Sequence, residues 1–481
     1  MINSKITLYN SLSNREEEFN TVCENEVKMY CCGITVYDYC HLGHARTCIV
    51  WDVVRKYLQW RGYKVTYIQN FTDIDDKILN RAKKENSSME EVSERFIKAY
   101  FEDMERLNVT PANAYPRATH ALDGIKKLVW ELEQKGYAYE KGGDVYYSVH
   151  KFADYGKLSG RKLEDLQAGA GGRINQSGVE KEHSSDFALW KSAKAGEPSF
   201  DSPWGKGRPG WHIECSAMVR DMLGETIDIH AGGNDLIFPH HENEIAQSEA
   251  VTGKSLANYW MHNGMVKVEG EKMSKSLGNF ITIRELLEQY EPMAVRLFVL
   301  QANYRKPIDF TKDAMESATN GWHTLGEGLQ FGFKHGEALN WTEKTQHTMI
   351  KSVQERFCQE VDRDFNFAAG VAILFDLAKD LRRESNIMIH EGKTTTSSQE
   401  LGDKWHTLMT LADVLGLKLD AVQSDTTSAQ MSDEEVENLV QERITARKNK
   451  DFAQGDRIRD ILKEQGITLI DGAGGVTKWH R

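Results

Sequence analysis

Three groups of residues in this sequence combine types and spacings suited to chemistry. The first is Cys40-His41-Leu42-Gly43-His44-Ala45-Arg46, set where a strand-like run gives way to a helical one. At such a junction the exposed amides and the dipole of a helix N-terminus favour an anion such as phosphate. Gly43 has no side chain, which leaves room for a flat ring against the backbone. His41 and His44 fall on one side of a turn and can donate to phosphate oxygens; a purely structural histidine pair is the alternative. The second group, Lys272-Met273-Ser274-Lys275-Ser276, follows the strand-like Met265–Val268. Lys272 and Lys275, flanked by hydroxyls, suit a phosphate tail and can offset charge building on a leaving group; a solvated surface loop is the competing reading.

The third group is dispersed: Cys32, then Cys215 in GWHIECS, then Phe238-Pro239-His240-His241-Glu242-Asn243-Glu244. Pro239 is well placed to open a helix. His240 and Glu244 then share one helical face, while His241 and Glu242 point elsewhere. Two thiolates, an imidazole and a carboxylate suit zinc. The spacing is not that of a zinc finger, and buried free cysteines remain an alternative.

The elements that must position these groups alternate in type. Lys28–Tyr37 and Val65–Ile68 read as strands with a helical stretch between them, and Thr226–His230 reads as a strand running into Ala231-Gly232-Gly233. Ser88 with Glu91 forms a capping box ahead of a helix whose apolar residues run from Met89 to Leu107. Strands alternating with helices predict a mostly parallel sheet covered on both faces. Between the two halves, roughly 116–203, the text is irregular and rich in Gly and Lys, as expected of an insertion. After about Lys312 helical patterns take over, including Val361–Asn386. The polar stretches Glu391–Lys404 and Ala421–Asp433 read as connectors, and a short terminal module closes the chain.

A length of 481 residues calls for two to four domains. Seven cysteines are too few and too uneven for a disulfide framework. The net charge of −12 argues against a general nucleic-acid binder, although Gln441–Lys463 carries seven Lys and Arg against four acids. No stretch is apolar enough to span a membrane and the opening residues carry no leader pattern, so the expected location is cytoplasmic.

The segments CCGITVYDYCHLGH, FTDIDDKI, GRPGWHIECSAM, HAGGNDLIFPHHENEIAQSEA and YWMHNGMVKVEGEKMSKSLGNF together resemble the cysteinyl-tRNA synthetases of the class I aminoacyl-tRNA synthetase family. HLGH stands for the HIGH signature with Leu42 in place of Ile, and KMSKS is unaltered. The ending RKNKDFAQGDRIRDILKEQGITLIDGAGGVTKWHR is similar to that family's anticodon-binding end, and the likeness is weakest between about 334 and 433. The resemblance implies a Rossmann-like α/β catalytic domain over 1–320 split by the insertion. An α-helical tRNA-binding domain over 321–420, a linker over 421–433 and a small anticodon-binding module over 434–481 follow from the same likeness.

By that resemblance the chain activates L-cysteine with ATP and Mg2+, loads it onto tRNA(Cys), and works as a monomer. His41, Gly43, His44 and Lys275 fall on the ATP-binding positions, and His41, His44, Lys272 and Lys275 on the catalytic ones. Thr72, Trp211 and His230 match the lining of the cysteine pocket. Cys32, Cys215, His240 and Glu244 match the ligands of one Zn2+. Ser184, where many relatives have Pro, and Lys478 and His480 beside Trp479 depart from the family pattern and touch only loop shape and tRNA contacts. Trp479 either stacks on a base or anchors its module. A ligase joining cysteine to an amino sugar shares the zinc pocket but ends after the catalytic domain.

Overall fold

The computed structural model describes residues 4–162, 181–194, 196–273, 277–419, 433–449, 451–464, 467–471 and 477–480. The chain divides into two compact units, Met1–Lys418 and Leu419–Arg481. In the first, a hairpin of β1 (Thr7–Asn10) and β2 (Arg15–Glu18) leads into β3 (Glu26–Thr35). Met29, Tyr30, Cys31 and Cys32 are buried in succession, the mark of a strand covered on both faces. The helix Leu42–Trp60 crosses over to β4 (Lys64–Thr72), which runs parallel to β3. Ser88 caps the helix Met89–Arg106, with Glu91 reciprocating as the spacing predicts.

The insertion is more regular than its composition suggests. After the helix Leu122–Gln134 it forms an antiparallel sheet of β5 (Ala138–Lys141), β6 (Asp144–Tyr147), β7 (Phe187–Ser192) and β8 (Gly207–Pro209), in that order. Gly142 and Gly143, with φ of 66° and 85°, make the two-residue turn that a tight hairpin needs. Residues 163–180 of this region lie outside the described residues.

The helix Trp211–Leu223 then precedes β9 (Ile227–Gly233), and the helix Glu242–Thr252 joins β9 to β10 (Ala257–Asn263). The central sheet has the order β10-β9-β3-β4, all parallel. From β3 the chain winds outward to β4, and from β9 it winds the other way to β10. The two halves therefore part between β3 and β9, and open sheets of this kind bind ligands beyond the carboxyl ends of the strands at that point. Cys32, Thr72, Gly233 and Asn263 lie at or near the carboxyl ends of their strands.

A small sheet of β11 (Val266–Val268), β12 (Glu271–Lys272) and β13 (Ile308–Phe310) carries Lys272 at its exposed tip. Lys275 lies outside the described residues. The buried Arg46 guanidinium donates to the carbonyls of Met265 at 2.8 Å and Tyr304 at 3.0 Å, and to that of Lys306. It thereby fixes the base of the small sheet to the helix that follows HLGH.

Helices Lys312–His335, Lys351–Val361, Phe367–Glu391 and Ser398–Val414 complete the first unit. The helical pattern expected across Val361–Asn386 is broken at 362–366, where Asp364 and Phe365 take φ of 51° and 50°. Asp364 accepts from the Tyr9 amide at 2.9 Å and the Tyr304 hydroxyl at 2.7 Å, and Asp362 accepts from Tyr57 at 2.6 Å. Tertiary hydrogen bonds to β1 and the first crossover helix thus override local propensity. The connector expected at 391–404 shortens, because Ser397 caps a helix that begins at Ser398.

Arg296 ties the layers together. Fully buried, it pairs with Asp52 and donates to the carbonyls of Leu107 at 3.0 Å and Leu415 at 2.9 Å, the open ends of two helices. The second unit pairs helices Asp433–Lys448 and Phe452–Glu464 with a hairpin of β14 (Thr468–Asp471) and β15 (Thr477–His480). Trp479 packs against its Val436, Val440 and Leu462 core and donates to Glu437 at 2.8 Å, the geometry of an anchor. Among the described residues no helix is long and apolar enough to cross a membrane.

Replacing Arg296 by Met leaves the buried Asp52 carboxylate with Arg55, Lys56 and the Thr110 amide but without its buried guanidinium partner. The expected loss is about 3 kcal/mol, the lower end for a broken buried pair. Urea unfolding followed by tryptophan fluorescence measures it.

Candidate active site and metal cluster

Four side chains predicted from dispersed segments meet at the switch point. Cys32 comes from β3, Cys215 from the first turns of Trp211–Leu223, and His240 and Glu244 from the turn and helix after β9. Phe238 is extended, with φ −138° and ψ 131°, so the helical path starts at Pro239 as expected. His240 Nε2 lies 3.1 Å and Cys32 Sγ 3.2 Å from Glu244 Oε1, and the two sulfurs are 3.8 Å apart. All four donor atoms lie within 4.8 Å of one another, and each residue is buried. Zinc bond lengths of roughly 2.0–2.3 Å put tetrahedral ligand atoms about 3.3–3.8 Å apart, close to these separations. Donor types and spacing therefore both fit a metal ion.

Electrostatics agree with a site built for a cation. The hydrogen bond from Cys32 brings the Cys215 thiol down to about 6 against the effect of burial. Burial and the neighbouring Cys215 push Cys32 well up. For His240 burial acts downward, but Glu244 and Cys215 outweigh it and carry the imidazole up to about 10. Burial would raise Glu244, yet His230 and His240 hold it well below the ordinary carboxylate range.

Behind this quartet stand residues that helical spacing did not single out. His241, expected to point elsewhere, packs inward: its Nδ1 meets His262 Nε2 at 2.8 Å, and it forms a second close set with Cys32 and His230. Burial keeps His241 and His262 uncharged at neutral pH, the latter down at about 3. His230 stacks on Trp260, rings 4.4 Å apart, and its Nε2 meets Glu244 Oε2 at 2.9 Å. It therefore orients the carboxylate. Thr72 donates to Glu214 at 3.0 Å, and Trp211, 38% exposed, stacks on His240 with ring centres 4.3 Å apart.

HLGH turns out to be a capping box made of two imidazoles. The amides of Gly43 and His44 donate to His41 Nδ1 at 3.0 and 3.4 Å, and the His41 amide donates to His44 Nδ1 at 3.3 Å. The rings stack with centres 3.7 Å apart. Because each Nδ1 accepts, the proton of a neutral ring sits on Nε2. Burial, then His41 and Lys77, hold His44 well below its usual range, so it stays neutral. A Cβ at Gly43 would come within 2.9 Å of the His41 ring, which explains the glycine without any ligand.

One cavity of about 380 Å³ joins the two regions: Cys32, Gly33, His41, Gly43, His44, Lys272 and Met273 all line it. Tyr37, Gln69, Asp235 and Asn263 line it too and escaped the sequence reading. The signal that could have found Tyr37, Asp235 and Asn263 is position, since they lie at or just beyond the ends of strands, whereas Gln69 is inside β4.

Known proteins give the family of the chain. The tRNA synthetases class I (C) catalytic domain matches residues 18–320, and the DALR domain matches 356–420. The chain is 66% identical over 481 residues to a cysteine–tRNA ligase of Rippkaea orientalis, covering 99% of each chain. It is 61% identical to one of Synechocystis, over 99% of this chain and 100% of that one. The chain belongs to the cysteine–tRNA ligase family of class I tRNA synthetases. Solved structures share the fold at low identity. The methionyl-tRNA synthetase of Mycobacterium tuberculosis with methionyl-adenylate aligns at TM-score 0.58 and 15% identity, over 81% of this chain and 89% of that one. An Agrobacterium radiobacter LeuRS in a ternary complex aligns at 0.59 and 11%, over 83% and 85%.

Two expectations follow. Filling the quartet with a divalent metal must expel the protons on Cys32 and His240, which lie on the protonated side of their raised values at neutral pH. Metal affinity should therefore rise by roughly two decades per pH unit between pH 6 and 10, and more steeply below 6, where Cys215 is protonated as well. Competition with a chelator across that range measures it. Gly43→Ala should push the His41 ring aside and cost about 1 kcal/mol of helix capping, measured by urea unfolding, while metal content stays unchanged.

Proposed function

We propose that this chain activates cysteine with ATP and then esterifies a tRNA(Cys), with zinc held by Cys32, Cys215, His240 and Glu244. The observation that carries the reading is the single cavity that reaches from Cys32 to the HLGH cap and Lys272. An amino acid whose side chain meets the cluster has its carboxylate directed toward a nucleotide lying over His41, Gly43 and His44.

In the first step a carboxylate oxygen of cysteine attacks the α-phosphorus of ATP. The bond to the β-phosphate breaks, leaving cysteinyl-adenylate and pyrophosphate. In the second, a hydroxyl of the tRNA 3′-terminal ribose attacks the acyl carbon, the bond to AMP breaks, and the hydroxyl proton leaves with the departing group or to water. No protein nucleophile is required; positioning and charge stabilisation supply the rate. His41 and His44 present Nε2–H groups to phosphate oxygens from a helix N-terminus that already favours anions. Lys272 at the exposed tip of the small sheet, with Lys275, offsets charge on the departing pyrophosphate, and Mg2+ accompanies ATP.

Zinc, when bound, prefers a thiolate to a hydroxyl and lowers the thiol pKa, which supplies selectivity against serine. Shape alone would discriminate such a pair by only about a hundredfold. Trp211 stacked on His240 and Thr72 beside Glu214 then bound the amino-acid side of the site, and His230 holds the Glu244 carboxylate in register. The rest of the reading is a cytoplasmic monomer, with the helices over 321–420 supporting the tRNA and 434–481 reading the anticodon.

Parallel assays of cysteine and serine, with metal analysis of the same sample, test it. Cysteine should support ATP–pyrophosphate exchange and tRNA charging at least about 10⁴-fold better than serine. Exchange without any tRNA charging would point instead to an amino-sugar acceptor, and a metal-free sample that still rejects serine would remove zinc from the reading. Lys275→Ala should slow adenylate formation by about a hundredfold or more with zinc content unchanged; equal rates would discard its role.

A further inference from the structure

Tyr30 is fully buried, stands two residues ahead of Cys32 on β3, and packs in one core with Cys32 and Cys215. Its neighbour on β9 is His230, with ring centres 5.4 Å apart. Among the described residues its hydroxyl hydrogen-bonds to no nitrogen or oxygen. Buried polar groups nearly always find a partner, because an unpaired one costs free energy. What faces this hydroxyl is the Cys215 sulfur. Burial, then the charges of Cys215, Cys32 and Glu244, hold the phenol well above its ordinary range, so the proton stays on oxygen and is there to donate.

Cys32 Sγ donates to Cys215 Sγ across 3.8 Å. Metal ions bind thiolates, so filling the quartet takes the proton from Cys32 and that hydrogen bond with it. Cys215 is then a buried thiolate that has lost a donor, and the Tyr30 hydroxyl is in place to supply one. Hydrogen bonds to an ionised acceptor are roughly twice as strong as neutral ones. Asn70 Oδ1, 3.7 Å from Cys215, cannot take the role, since it is itself an acceptor and already holds the Gly33 amide at 2.8 Å.

We propose that Tyr30 is a positioning residue of the metal site, its hydroxyl donating to the Cys215 thiolate when the quartet holds zinc. The inference rests on the reading of that quartet as a zinc site. The hydrogen bond fixes the Cys215 side chain and draws charge from its sulfur. A metal ion bound there is left a stronger Lewis acid toward the thiol of a substrate.

The test strips the full-length protein with a chelator and reloads it with Co2+. The readouts are the sulfur-to-cobalt charge-transfer band, Co2+ affinity by chelator competition, and cysteine-dependent ATP–pyrophosphate exchange. Tyr30→Phe should bind Co2+ about tenfold more weakly. Its band should move to longer wavelength, because a thiolate without that donor gives up an electron more readily. The KM for cysteine should rise about tenfold with the KM for ATP unchanged. Tyr147→Phe is the comparison, a buried tyrosine of the same core whose hydroxyl donates to the Ala246 carbonyl at 3.0 Å. It should lower the urea midpoint of the stripped protein and leave band and affinity alone, whereas Tyr30→Phe should leave that midpoint in place. Parent-like band and affinity in Tyr30→Phe overturn the proposal. So does a midpoint lowered as far as in Tyr147→Phe, which makes the hydroxyl structural, or an equal band shift in both variants. A parent that takes up Co2+ without a sulfur band defeats the zinc reading itself, a result separate from any difference between parent and variant.

Discussion

Glu244 is the residue on which the rest of the site depends. Its carboxylate is fully buried, and burying such a charge without partners is prohibitive. One oxygen meets His230, and the other faces Cys32 and His240. These partners come from β3, β9 and the turn after β9, so satisfying one carboxylate requires the sheet order and its switch point to be right. Burial keeps His241 and His262 neutral behind it, and His262 passes the network on to Ser11 at 2.8 Å in the N-terminal hairpin. Chemistry and architecture are here one constraint.

The same economy governs the HLGH segment. His41 and His44 satisfy amides that a helix start would leave unpaired, and in doing so fix which ring nitrogen carries the proton. Three turns of helix further on, Asp52 is clamped by Arg296, which also closes the ends of two other helices. Between them Arg46 grips the carbonyls at the base of the sheet bearing Lys272. A single helix, Leu42–Trp60, thus reaches the lysine-bearing sheet and the helical region through buried guanidinium and carboxylate contacts, and the central sheet through the Trp51 indole, which donates to Asn263 at 3.1 Å.

Much of this was legible in the residues. HLGH, KMSKS and the Cys, Cys, His, Glu quartet could be picked out because their types are chemically uncommon together, and the alternation of strands and helices pointed to a parallel sheet. Pro239 and the i, i+4 relation of His240 and Glu244 gave the correct face of the helix, since Phe238 is extended just before it. The insertion reads as irregular from its Gly and Lys content, yet the Gly142-Gly143 turn pairs β5 with β6 in a tight hairpin. The helix expected across Val361–Asn386 forms from Phe367 onward and is interrupted at 362–366, because Asp362 and Asp364 are recruited by Tyr57, Tyr9 and Tyr304, residues far away in the chain.

The sequence by itself determined which side chains exist to do the chemistry, and the local signals for where most helices start. Caps, periods and donor types are short-range properties, and short-range physics is written in adjacent residues. Only the tertiary structure decided that His241 turns inward, that His230 serves Glu244, that two imidazoles cap a helix, and that one cavity joins the cluster to the lysine. Each of those outcomes depends on which distant group reaches a buried donor or acceptor first, and that competition is settled by packing.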